Sequence, residues 1–144
     1  MRTLIALAFV FSAQAFACPE LAGTYTCTYS DGSSETGTVT QTLVNGVNVY
    51  NYNGTEIRAD NAVYPVPEDE TLKEGTFRAW CEGAATLKGT IEGKYYSGGS
   101  YFGDLVMNLE FSRVGTSLKQ VTTGNLKNAG GDYPINSEVV CTAN

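Results

Sequence analysis

Apolar and polar residues alternate with a period of two along most of the chain. Between 84 and 92, Ala85, Leu87, Gly89 and Ile91 share one face, while Ala84, Thr86, Lys88, Thr90 and Glu92 share the other. Farther on, Leu105, Met107, Leu109 and Phe111 point one way, and Val106, Asn108, Glu110 and Ser112 the other. Near the start, Tyr25, Cys27 and Tyr29 oppose Thr24, Thr26 and Thr28. Successive side chains of an extended strand point to opposite sides, so an apolar row against a polar row means one buried and one wet face. The pattern predicts strands over 23–30, 35–44, 46–53, 55–60, 75–82, 84–92, 94–97, 103–114, 116–123 and 136–142. Turn dipeptides punctuate it at Asp31-Gly32, Asn45-Gly46, Asn53-Gly54, Gly98-Gly99 and Gly130-Gly131. Asn-Gly and Asp-Gly readily adopt the positive φ angles of type I′ hairpin turns.

Two stretches break the rhythm. Residues 61–74 hold Pro65, Pro67 and the acidic run Glu68-Asp69-Glu70, and predict a loop with room for one helical turn at 68–74. Residues 124–135 hold Gly124, Gly130, Gly131 and Pro134, and predict a second loop. Elsewhere the connections are short, which pairs sequential strands as antiparallel neighbours in a meander. Closing such a sheet removes its exposed edges. The expected fold class is all-β: an antiparallel up-and-down meander β-barrel of roughly 8–10 strands, in which the first and last strands are neighbours.

The N-terminus changes the picture of where this barrel works. Met1-Arg2-Thr3 is followed by an apolar run from Leu4 to Phe11 and then by Ser12-Ala13-Gln14-Ala15-Phe16-Ala17. That is the order of a cleavable signal peptide, and the run is shorter than the ~20 residues that cross a bilayer. Residues 1–17 are thus expected to be a signal peptide and 18–144 a single β-barrel domain, exported to the periplasm or the extracellular space, without a transmembrane segment. Cys18, Cys27, Cys81 and Cys141 all survive the cut. An even cysteine count in a small exported chain predicts two disulfides, with all three pairings open. Cys18 directly follows the cut, as it would in a lipoprotein; Ala15 and bulky Phe16 make a poor lipobox, so lipidation is the minority reading. Zinc is disfavoured because no two cysteines are closely spaced and the chain has no His.

The formal net charge is −6, and removal of Arg2 makes it more negative. Such a chain is a poor match for nucleic acid or anionic membranes. Without His, the Ser-His-Asp and Cys-His arrangements are excluded. A carboxylate pair would suffice for a glycosidase, but Glu56, Asp60, Glu82, Glu92, Asp104 and Glu110 occupy polar-face or turn positions. The acidic run at 68–70 lacks the spacing of a calcium loop. The expectation is a non-enzymatic protein with no cofactor and no metal. Leu87, Ile91, Leu105, Met107, Leu109 and Phe111 are expected to line an interior that can hold a small apolar ligand, since barrels of more than about eight strands leave a cavity. Tyr95, Tyr96, Tyr101 and Phe102 flank a flexible Ser97-Gly98-Gly99-Ser100, and such an aromatic loop tip suits a protein partner.

Two short segments carry resemblances. Leu21-Ala22-Gly23-Thr24-Tyr25 resembles the opening of calycins, the lipocalin and fatty-acid-binding families, with Tyr25 standing where those chains usually have Trp. The resemblance implies a meander barrel around an apolar ligand, with Tyr25 in the first strand and Arg113 packed over its ring. Tyr25-Thr26-Cys27, Ser97-Gly98-Gly99-Ser100-Tyr101 and Cys141, in that order, resemble the periplasmic C-type lysozyme inhibitors. That resemblance implies Ser97 and Tyr101 as contacts inserted into the partner enzyme's cleft.

Overall fold

The computed structural model describes residues 17–144, so all but Ala17 of the expected signal peptide lies outside the described residues. The strands are β1 (Gly23–Thr28), β2 (Ser34–Val44), β3 (Val47–Tyr52), β4 (Thr55–Arg58), β5 (Tyr64–Pro65), β6 (Leu72–Glu82), β7 (Thr86–Ser97), β8 (Ser100–Val114), β9 (Ser117–Asn128) and β10 (Gly131–Ala143). All belong to one antiparallel sheet in the order β4-β3-β2-β1-β10-β9-β8-β7-β6-β5. The sheet curls into a half-barrel, and its first and last strands are neighbours as expected.

β1 and β10 pair only from Tyr25 to Cys27 against Ala143 to Cys141. Their junction is clasped by the Cys27–Cys141 disulfide, whose Cα atoms are 4.0 Å apart because the two cysteines lie directly opposite each other. The alternation in β1 has the predicted consequence. Tyr25 and Cys27 are buried in the interior, whereas Thr24, Thr26 and Thr28 form an outer ladder of hydroxyl contacts with Thr38, Thr36 and Ser34.

The ring of hydrogen bonds is not completed between β4 and β5, the sheet's edges. Residues 59–63 run across this seam instead. The Asn61 N–H donates to the Ala79 carbonyl of β6 at 2.7 Å, and the Ala59 N–H to the Asn48 carbonyl of β3 at 2.9 Å. Asp60 accepts from the Tyr64 hydroxyl at 2.6 Å and the Ala62 N–H at 3.0 Å. These bonds, led by that of Tyr64, hold the Asp60 carboxyl below the usual carboxylate range.

Four local expectations are corrected. Residues 124–135 are not a loop: β9 and β10 pair from Leu118↔Cys141 out to Asn128↔Gly131. Gly124 permits this because a side chain there would strike the Val106 carbonyl and Met107 of β8. The predicted break at Gly93 is absent, and β7 runs unbroken to Ser97, with a register shift against β8 between Tyr95 and Tyr96. No helical turn forms at 68–74; Asp69 accepts from the Thr71 and Leu72 N–H groups, shaping a tight bend that leads into β6. Finally, Ser97-Gly98-Gly99-Ser100 is no flexible loop. Ser97 pairs with Ser100, and Gly98 and Gly99 have φ of 59° and 81°, the doubly positive geometry of a type I′ turn.

The core sits at one end of the half-barrel, around Leu21, Tyr25, Cys27, Val39, Tyr50, Ala79, Leu87, Leu118 and Cys141. Residues 18–22, which belong to no strand, stopper this end. The Cys18–Cys81 disulfide ties them to β6. The Tyr50 hydroxyl of β3 donates to the Pro19 carbonyl at 2.8 Å, and the Tyr25 hydroxyl of β1 to the Leu21 carbonyl at 2.9 Å. Gln41 of β2 accepts from the Leu21 N–H at 3.0 Å. Irregular backbone can be buried only if its polar groups find partners, and here side chains from several strands supply them. Since the Cys18 sulfur is bonded to Cys81, none is left for a thioether lipid.

Candidate functional site

Inside the stoppered end lies a cavity of about 300 Å³. Its lining comes from both halves of the sheet: Cys27, Val39, Tyr50 and Ile57 from β1–β4, and Leu87, Phe111, Leu118 and Gln120 from β7–β9, with Leu21 of the stopper. Burial grades along it. Leu21, Tyr50, Leu87 and Leu118 are buried, while Tyr29, Glu35 and Tyr52 at the other side of the cavity are exposed or half-buried. The buried residues form the floor and the latter three the mouth.

The mouth is built by the β1–β2 hairpin. Glu35 lies opposite Cys27 in the ladder, on the interior face that also carries Gly37 and Val39. Gly37 has no side chain, and the Tyr52 ring occupies the space where its Cβ would stand. The Tyr29 hydroxyl donates to Glu35 Oε2 at 3.3 Å and the Tyr52 hydroxyl to Oε1 at 3.3 Å. Partial burial, followed by the Glu35 charge and hydrogen bond, raises both phenols above their ordinary pKa, so they remain donors. On the floor, burial and then the nearby Glu20 charge push the Tyr50 hydroxyl up to about 12.

Of the residues expected to hold a ligand, Leu87 and Phe111 line this cavity. Ile91, Met107 and Leu109 follow on the same interior face through the register Leu87↔Phe111, Gly89↔Leu109, Ile91↔Met107 and Gly93↔Leu105. They are half-buried, and Leu105 is buried, farther along β7 and β8. Tyr25 is a core residue bonded to the stopper. Arg113 is exposed and reaches the Glu20 carbonyl at 3.5 Å, outside the cavity lining.

The aromatic tip lies at the opposite end of these long strands. Tyr95 and Phe102 meet edge-to-face at 6.1 Å between centroids, Tyr96 and Tyr101 at 5.8 Å, and Phe102 and Tyr133 at 6.2 Å. Tyr101, 50% exposed, donates to Asp104 Oδ1 at 2.9 Å, and Ser97 sits in the turn beside it. Between tip and clasp, residues 131–140 of β10 pair with β9 on one side, and among the described residues no strand covers their other edge.

Five of the six carboxylates weighed for catalysis have a charged or hydroxyl partner. Glu56 and Asp60 face Arg58, Glu82 and Glu110 face Lys88, and Asp104 is held by Tyr101. Among the described residues no group of three or more Cys, Asp or Glu is placed to hold a metal ion. No helix there is long and apolar enough to cross a membrane. Both disulfides suit a non-reducing, exported environment.

Sequence reasoning missed the mouth. The alternation Glu35, Gly37, Val39 was visible, but a two-residue turn at Asp31-Gly32 would have set Glu35 opposite Thr28, whereas the hairpin closes through a three-residue loop that sets it opposite Cys27. No known protein family, curated protein or solved structure matches the chain.

Proposed function

We propose that this chain is an exported, non-enzymatic binding protein that holds a small apolar ligand in the cavity at the stoppered end. The supporting observation is the cavity itself. Its walls are mainly apolar, Gln120 and the mouth excepted, and about 300 Å³ falls at the lower end of the ~300–1,000 Å³ range of small-molecule sites. An engineered apolar cavity of ~150 Å³ takes up benzene, so a ligand of one or two rings is the right size. The calycin-like opening at Leu21–Tyr25 agrees with this reading, with Tyr25 serving the stopper rather than the ligand. Uptake of naphthylmethanol, followed by its fluorescence or by native mass spectrometry, tests it. Binding is expected in the wild type and lost in Leu118→Trp, which fills the cavity. Equal signals from both proteins, or none from either, count against it.

A second reading is favoured by a different observation. Tyr101, Phe102 and Tyr133 are all large and exposed, and the uncovered edge of β10 lies next to them. Aromatic clusters and open strand edges are both surfaces for protein partners. On this reading the tip, with Ser97 and Tyr101, docks a protein such as a lysozyme. Tyr101→Ala would then abolish lysozyme inhibition without lowering thermal stability; an intact protein that does not inhibit removes that version.

A further inference from the structure

The mouth of the cavity narrows the class of ligand. Among the described residues Glu35 is the only ionisable carboxylate lining it. Each of its oxygens accepts one tyrosine hydroxyl, and a carboxylate offers about four lone-pair sites, so acceptor capacity remains on both. Among the described residues no Lys or Arg forms an ion pair with Glu35; the ion pairs formed there join Arg58, Lys88, Lys94 and Lys119 to Glu56, Asp60, Glu74, Glu82, Glu110 and Glu138. Nor does any described Lys or Arg line the cavity elsewhere. Two phenol rings stand with the carboxylate in the same lining, and an aromatic face attracts a cation through its quadrupole. An anionic head group would instead meet like charge here, in a chain whose formal net charge is already −6.

We infer that the cavity takes an apolar ligand bearing an ammonium group, with the apolar body between Leu87 and Leu118 and the cationic head at Glu35, Tyr29 and Tyr52. The inference rests on the cavity being a ligand site, and it runs against the fatty-acid class suggested by the calycin resemblance. The ammonium would donate to the free lone pairs of Glu35 while the two hydroxyls keep the carboxylate aimed into the mouth. An alcohol can also donate to the carboxylate, but only the ammonium adds the attraction of opposite charges and of the two phenol faces, which sets the preference expected of an amine over an alcohol of the same shape.

Naphthylmethylamine, naphthylmethanol and naphthoate form a matched cationic, neutral and anionic series for isothermal titration. The amine is expected to bind about tenfold more tightly than the alcohol, and naphthoate most weakly. Glu35→Gln should remove the amine's advantage over the alcohol. The wild-type series carries the test even without the variant. Equal binding of all three probes, or a naphthoate preference, overturns the ammonium inference while leaving the cavity as a ligand site. Failure of all three, the alcohol included, overturns both.

Discussion

The two ends of the long strands β7–β10 share one sheet and one pattern of alternation, yet they differ in almost every physical respect. At the stoppered end these strands face β1–β4 across a shared interior, two disulfides converge, and Leu87, Leu118 and Cys141 are buried. At the tip, Tyr101, Phe102 and Tyr133 stay exposed, and β10 loses its β1 neighbour beyond Cys141. Burial of an apolar row depends on what faces it, and alternation alone supplies only the row. Stability and the cavity are therefore concentrated at one end, and the surface chemistry suited to partners at the other.

The sharpest way to break this contrast is to open the clasp. The Cys27–Cys141 bridge closes a sequence separation of 114 residues and Cys18–Cys81 one of 63; each contributes about 2–4 kcal/mol, largely by restricting the unfolded chain. The double variant Cys27→Ala/Cys141→Ala should lose that much in denaturant titration. Loss of the bridge without loss of stability would mean that the β1–β10 junction holds without it. Next in size is Leu87→Ala, which enlarges a cavity already present and should cost about 2–3 kcal/mol.

Alkaline pH probes the stopper. The Tyr50 hydroxyl titrates near 12 in the folded chain and near ~10 when unfolded. A raised pKa means that the stability associated with the neutral phenol is fully present below the unfolded value and is lost as pH climbs through the folded one. A shift of that size corresponds to about 2–3 kcal/mol, so the melting temperature should fall steeply between these limits. Tyr50→Phe should flatten the fall while lowering stability at neutral pH, because the Pro19 carbonyl loses its donor. At the other end the expected effects are smallest: Phe102→Ser and Tyr133→Ser should change stability by no more than about 0.5 kcal/mol.

Much of this fold was legible in residue order, and the reasons it stopped being legible are local. Asn45-Gly46 and Asn53-Gly54 form the expected tight turns, with positive φ at both residues of each pair. The neighbouring first and last strands also follow from a closed meander. The extension of β9 and β10 through 124–135 was hidden because Gly124 and Pro134 read as breakers. In fact Gly124 is needed for the close approach of β8, and Pro134 lies on the strand with an uncovered edge, where a missing N–H is tolerated. The disulfide pairing was beyond the sequence because it depends on the β1–β10 register, which sets Cys27 opposite Cys141, and on where residues 18–22 dock. The apolar row of β7 and β8 was read as one uniform lining. Of that row only Leu87 and Phe111 line the cavity, because alternation marks a shared face and not what stands opposite each residue. Glu35 looks like a solvated hairpin residue, and nothing in the order of residues joins it to Tyr52 or to Tyr29, which ends the apolar row of β1, until the hairpin register brings them together.

The most direct test of the account is methyl NMR of the protein titrated with naphthylmethanol. The account predicts shifts confined to Leu21, Val39, Ile57, Leu87 and Leu118, the methyl-bearing residues of the cavity lining, with Ile91, Leu105 and Leu109 silent. Shifts centred on Ile135 and Val140 of the open edge, or no shifts at all, would contradict it.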